Sequence, residues 1–247
     1  MKYFFLIFGL FINFCYAQSH LFDNLTFVNG QSEINYRYFK PKDLSQKYPL
    51  VVFLHGAGER GIDNEKHLKH IVHLASEDFQ KEFPCYILAP QCPSGIKWVN
   101  VEWNLKSHKM PPISASLQTV LDLVKKIIQR DNIDVNRIYV VGLSMGGFGV
   151  WDILCREPQL FAAGVPICGG GDETQVHLIK DIPIWAFHGL QDKVVLPSRT
   201  QNMVKALEKL NGKIQMTLYP DLGHNVWDTV LHSHDLWGWL FHQSKNQ

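Results

Sequence analysis

The sequence lacks charge imbalance, dense cysteine and long apolar runs. Among 247 residues, 24 Lys and Arg stand against 23 Asp and Glu, a formal net charge of +1. The basic residues are not clustered, so neither a nucleic acid nor an acidic surface is indicated as a partner. The apolar run from Tyr3 to Phe14 is too short to cross a bilayer, which takes about 20 residues. Of five cysteines, Cys85 and Cys92 bracket one expected strand. Seven residues at roughly 3.3 Å each hold them about 23 Å apart, against the roughly 4.4–6.8 Å Cα spacing of a bridge. They cannot pair across a straight strand, and Cys155 and Cys168 are read as unpaired too.

What is present begins with a leader. Lys2, the apolar run and the small residues of Cys15-Tyr16-Ala17 read as a signal peptide cleaved after Ala17. Large Phe14 argues against lipid attachment at Cys15. The expected product is a single domain over 18–247, periplasmic or secreted and free of the membrane. Its length suits one α/β unit, and 46% hydrophobic residues supply a core.

Strand and helix patterns then alternate. Leu25 to Val28 and Ile34 to Phe39 flank Asn29-Gly30, a hairpin signal. Pro49 to Leu54, Phe83 to Ala89, Ile138 to Val141, Ala162 to Ile167, Ile182 to Phe187 and Ile214 to Tyr219 read as buried strands. Ile113 to Arg130 carries Leu117, Val120, Leu121, Val124, Ile127 and Ile128 at helical spacing. Asp63 to Ser76 also reads as a helix. Its His67, His70 and His73 recur every three residues without an acidic or cysteine partner, so they are not read as a metal site. The alternation predicts a mostly parallel sheet with helices on both faces.

Gly142-Leu-Ser144-Met-Gly146 sits between a strand and a helix, the setting that makes G-x-S-x-G a nucleophile elbow. Glycines at 142 and 146 remove side chains that would crowd the turn. A serine hydroxyl needs a base, and the base an orienter. In a parallel sheet these sit beyond the carboxyl ends of strands. Asp192 follows one strand and His224 another, so Ser144, Asp192 and His224 are the candidate triad. Asp172 is the rival acid. Asp221 is read as a turn former, and His188 as packing beneath its loop. The amides of Ala57, in the loop after the first central strand, and of Met145 are the candidate oxyanion donors.

These stretches carry a resemblance. Leu54-His-Gly-Ala-Gly-Glu-Arg-Gly61, Ala89-Pro-Gln-Cys-Pro93 with Trp98, Gly142 to Gly147, His188-Gly-Leu-Gln-Asp192 and Gly223-His-Asn-Val-Trp-Asp228 resemble an α/β-hydrolase of the predicted-peptidase and phospholipase/carboxylesterase-like group. The resemblance implies an acyl-serine mechanism on carboxylic esters without cofactor or metal. Exported members resemble feruloyl and acetyl esterases of cell-wall polysaccharides. His55, Gly56, Trp98 and Trp227 are the expected substrate contacts. The connection Gly169 to Asp181 is too short for a large cap, which leaves an open cleft with the segment Pro90 to Pro112 as its expected wall.

Overall fold

The computed structural model describes residues 18–245; the expected leader at 1–17 lies outside the described residues. Eight strands form one sheet in the order β1-β2-β4-β3-β5-β6-β7-β8. The hairpin is β1 (Asp23–Asn29) and β2 (Ser32–Phe39), with Gly30 at φ 60 in its turn. β2 runs antiparallel to β4 (Tyr86–Gln91), and β3 (Tyr48–Leu54) joins β4 in parallel. β5 (Ile133–Leu143), β6 (Ala163–Ile167), β7 (Ile184–Gly189) and β8 (Ile214–Tyr219) continue the parallel part. The fold is that of an α/β-hydrolase, with an antiparallel hairpin at one edge.

Strand alternation sorts the core into two layers. Along β3, Leu50, Val52 and Leu54 point to one layer, and Val51 and Phe53 to the other. The first layer is covered by α2 (Ala115–Arg130), α3 (Met145–Arg156) and α4 (Ser198–Glu208). The second is covered by α1 (Glu77–Glu82), α5 (Trp227–Leu231) and α6 (His234–His242). The stripe on α2 is buried as its spacing requires, and the Ser114 side chain caps the helix by accepting from Leu117 N–H.

The helix expected over Asp63 to Ser76 is corrected. Only two 3₁₀ turns form there, Lys66–Leu68 and Val72–Ala75. The Asp63 carboxylate caps the Glu65 and Lys66 amides, but Asn64 stands at φ 53 and Ile71 at φ −128, ψ 0, both outside the helical region, so the turns do not join into one helix. The three histidines part company. His67 is buried and donates to Ala89 O at 2.9 Å. His73 Nε2 reaches Leu231 O at 3.1 Å, and His70 lies between Glu59 and Asp228. Cys85, Cys92, Cys155 and Cys168 are all free and buried.

Candidate active site

β5 runs straight into Ser144, which stands at φ 52, ψ −117 ahead of α3. A non-glycine residue at positive φ is strained and persists only where its surroundings hold it. Here Ser144 N–H donates to Ile167 O at 2.8 Å, tying the turn to β6. The glycines have a measurable reason. A Cβ on Gly146 would stand 1.8 Å from Leu54 O, and one on Gly142 would stand 2.5 Å from Gly146 O. The start of α3 therefore presses on the end of β3, and only glycine allows the approach.

The structure brings Ser144, His224 and Asp192 together from three different strand ends. Ser144 Oγ donates to His224 Nε2 at 2.8 Å. His224 Nδ1 donates to Asp192 Oδ2 at 2.6 Å. Asp192 Oδ1 accepts the Val194 and Val195 amides at 2.8 and 2.9 Å. The carboxylate is wholly buried. Burial opposes its ionisation, but hydrogen bonds from His188, His224 and Val195 outweigh burial and hold it below the ordinary carboxylate range. Ser144 is 8% exposed and the His224 side chain 19%, so the hydroxyl and base open to solvent while the acid does not. The loops of acid and base touch: a Cβ on Gly189 would meet Gly223 O at 2.3 Å.

The oxyanion loop lies against the serine. A Cβ on Gly56 would stand 3.6 Å from Ser144 Cβ. Ala57 opens a 3₁₀ turn, Ala57–Glu59, and Met145 opens α3. The first amides of such turns have no partner within them and can face a developing negative charge. Glu59 fixes the loop from below. It is buried, pairs with Lys69 at 2.7 Å, and lies 3.6 Å from His70. Against the cost of burial, those neighbours bring its carboxyl down to about 2.

Two expected substrate contacts are corrected. Trp98 is 0% exposed. Its Nε1 donates to His55 O at 3.0 Å, and its own carbonyl accepts from Ser114 Oγ at 2.6 Å. The ring sits under the oxyanion loop, where its large apolar surface fills the core rather than walling a cleft. His55 is equally buried; its Nδ1 donates to Gly56 O at 2.6 Å and its Nε2 accepts from Cys92 N–H at 2.9 Å. Both ring nitrogens are spent on backbone, so the side chain is a brace for the loop. Gly56 is buried with it, at the van der Waals edge of the serine. Trp227 is half-buried and stands edge-on to His224, with centroids 5.0 Å apart, and to His70, 5.9 Å apart. Trp98→Ala is therefore expected to cost about 3–5 kcal/mol of stability, seen as a lower denaturant midpoint, with KM ratios between aryl and short aliphatic esters unchanged. A selective rise in KM for the aryl ester would restore Trp98 to the cleft wall.

Asp172, the rival acid, is engaged elsewhere. Its oxygens accept from Met110 N–H at 2.9 Å and from Thr174 N–H and Oγ1 at 3.0 and 2.7 Å. It pins the segment 90–112, which Arg199 also holds by donating to Leu105 O at 3.0 Å and to His108 Nδ1. Asp221 is exposed. Residues 169–181 carry a single short 3₁₀ segment, Glu173–Leu178, so no cap domain arises there. Among the described residues, Cys168, His188 and Asp192 are a set whose donor atoms, within 4.8 Å of one another, could hold a metal ion. Each already has protein partners. Cys168 Sγ lies 3.5 Å from His224 O, and His188 Nε2 bonds Asp192 Oδ2 at 3.1 Å, a contact beyond the packing role read from the sequence. The only sign of that contact in the sequence was a histidine four residues before the acid.

The braced imidazoles also predict acid sensitivity. Burial pushes His55, His67 and His73 from the ordinary value of about 6.5 to about 4, 3 and 4. Below about 6.5 the unfolded chain binds more protons than the folded one at all three, so stability falls with pH. His70 runs the other way: despite burial, Asp228 and Glu59 raise it. Its contribution is already complete below the ordinary range and does not offset the fall. Each depressed group contributes about 1.4 kcal/mol per pH unit within its window. The urea midpoint is expected to drop steeply between roughly pH 6.5 and 5; a flat midpoint would mean these rings are not held neutral.

Comparison with known proteins places this geometry. The sequence profile of the phospholipase/carboxylesterase family matches residues 41–235. A solved thermostable esterase is 40% identical, with a TM-score of 0.86, over 93% of this chain and 64% of that one. The probable carboxylesterase SOBER1-like of Arabidopsis thaliana is 23% identical over 76% of this chain and 77% of its own. The bifunctional acetylxylan esterase/xylanase XynS20E of Neocallimastix patriciarum is 24% identical over 68% of this chain. The chain spans 22% of that enzyme's length, and less than two thirds of the thermostable esterase's.

Proposed function

The chain belongs to the phospholipase/carboxylesterase family, and from that premise we propose that it hydrolyses carboxylic esters through an acyl-serine intermediate. The observation that carries this is the relay from Ser144 Oγ to His224 Nε2 at 2.8 Å and from His224 Nδ1 to Asp192 Oδ2 at 2.6 Å. His224 takes the hydroxyl proton as Ser144 attacks the ester carbonyl. Asp192 holds the imidazole in the tautomer with its lone pair toward the serine and stabilises its charge. The Ala57 and Met145 amides receive the oxyanion. His224 then protonates the leaving alcohol, and water, deprotonated by the same imidazole, releases the acyl group. Every step uses side chains and amides of the chain itself.

The finer reading is an exported enzyme acting on acyl esters of a polysaccharide. It is supported by the leader at 1–17, by the short connection 169–181 with its single 3₁₀ segment, and by the likeness to a protein named as an acetylxylan esterase. An uncapped site whose base, His224, stands edge-on to a half-buried Trp227 suits an ester carried on a polymer. A panel of acetylated and feruloylated oligosaccharides, short aliphatic esters and peptide amides tests it. Faster turnover of the oligosaccharide esters is expected. Preference for peptide amides would move the chain to the peptidases of this fold, and preference for short aliphatic esters would leave a broad carboxylesterase.

A further inference from the structure

His188 takes no part in the proton transfers above, yet it shares the acid that serves them. It lies in β7, wholly buried, with its Nε2 3.1 Å from Asp192 Oδ2 and 2.9 Å from Val195 O. Its Nδ1 lies 2.7 Å from Thr200 Oγ1. The Thr200 hydroxyl gives its hydrogen to Gly169 O at 2.8 Å, so it turns a lone pair toward the ring. Carboxylates and carbonyls only accept. All three neighbours of the two ring nitrogens are therefore acceptors, and each nitrogen needs a hydrogen. A ring with one N–H would set a nitrogen lone pair against an oxygen lone pair in a buried site, where an unmet polar group is costly.

We propose that His188 is a doubly protonated positioning residue that shares Asp192 Oδ2 with His224, so that His224 faces a partly neutralised carboxylate and stays a working base in mildly acidic conditions. The proposal rests on the Ser144–His224–Asp192 reading. Asp192 receives four donors: two amides on Oδ1, and His188 and His224 on Oδ2. A carboxylate with that many donors holds a positive His224 ring less firmly than one bonded to His224 alone. The acid limb of kcat/KM then lies at lower pH. The other titratable groups around His188 do not supply this effect. Cys168, after β6, is kept a neutral thiol by burial. On α4, Thr200 is uncharged, and the Arg199 guanidinium is directed at Leu105 O and His108.

The test has two arms. In the wild-type protein, long-range ¹H–¹⁵N spectra of the imidazoles should show both His188 nitrogens protonated between roughly pH 6 and 8. A bare nitrogen in that range overturns the proposal, whatever the enzyme's activity. In the second arm, the pH profile of kcat/KM is measured for His188→Gln and His188→Leu. Gln keeps an N–H donor without the charge; Leu keeps neither. The acid limb is expected to move up by about one pH unit in both. His188→Gln should retain a kcat at least about tenfold above that of His188→Leu, because a single charge-assisted donor is worth roughly that factor. A lower kcat with an unmoved limb in His188→Gln would reduce His188 to packing. Failure of the triad itself would show separately, as fluorophosphonate labelling at a serine other than 144 or as retained labelling in Ser144→Ala.

Discussion

Ser144→Ala is expected to lower ester turnover by on the order of 10⁵–10⁶-fold, the loss seen when the nucleophile of such a relay is removed. The fold should survive. The substitution deletes one oxygen and leaves the Cβ, so the backbone strain at φ 52 is the same for Ala as for Ser. The Ser144 N–H bond to Ile167 O, and the close approaches of Gly142 and Gly146, involve backbone only. The variant should therefore unfold at the wild-type denaturant midpoint to within about 1 kcal/mol. It should also lose covalent labelling by a fluorophosphonate. Turnover within tenfold of wild type would place the nucleophile elsewhere.

Why this serine was legible in the sequence, and its surroundings less so, has a physical basis. The elbow needs glycine at fixed offsets because backbone atoms would collide with any Cβ there, and glycine leaves a mark that no other residue replaces. Strand alternation likewise reflects a two-layer core that admits only one pattern along β3. The base and acid were found because a parallel sheet sends the ends of β5, β7 and β8 to the same edge. Trp98 was misplaced because an aromatic residue in a long irregular segment reads the same whether its face is wet or packed; its burial is decided by His55 and Ser114, 43 and 16 residues away. The expected helix at 63–76 failed for a similar reason. Its apolar spacing was present, but Asn64 stands at φ 53 with its side chain bonded to Leu25 O and Tyr36 O, and Ile71 leaves the helical region at φ −128, ψ 0. His188 was seen as a packing residue because nothing local shows that Thr200 spends its hydrogen on Gly169 O.

Asp192→Asn is expected to lower kcat by about 10⁴-fold with the overall fold retained, whereas Asp172→Asn should leave kcat within about tenfold of wild type and lower stability instead. The asymmetry follows from the hydrogen-bond count. All four neighbours of the Asp192 oxygens are donors: Val194 and Val195 amides on Oδ1, His188 and His224 on Oδ2. An amide has one oxygen and one NH₂ group. Whichever way it is placed, the NH₂ confronts two donors. If it faces His224, the imidazole turns to its other tautomer and offers Ser144 an N–H instead of a lone pair, which removes the base. If it faces the two amides, the loop Asp192–Val195 must open, and the base loses its fixed orientation. Asp172 also accepts only from donors, at Met110, Thr174 and Lys109, but those bonds hold the 90–112 segment and the start of the Glu173–Leu178 turn. Their loss is a local unfolding cost of about 1–3 kcal/mol, readable as a shifted urea midpoint. Steady-state kinetics and denaturation of the two variants, side by side, separate the roles. A larger kcat loss in Asp172→Asn would mean that the acid working through His224 is not the one bonded to it here.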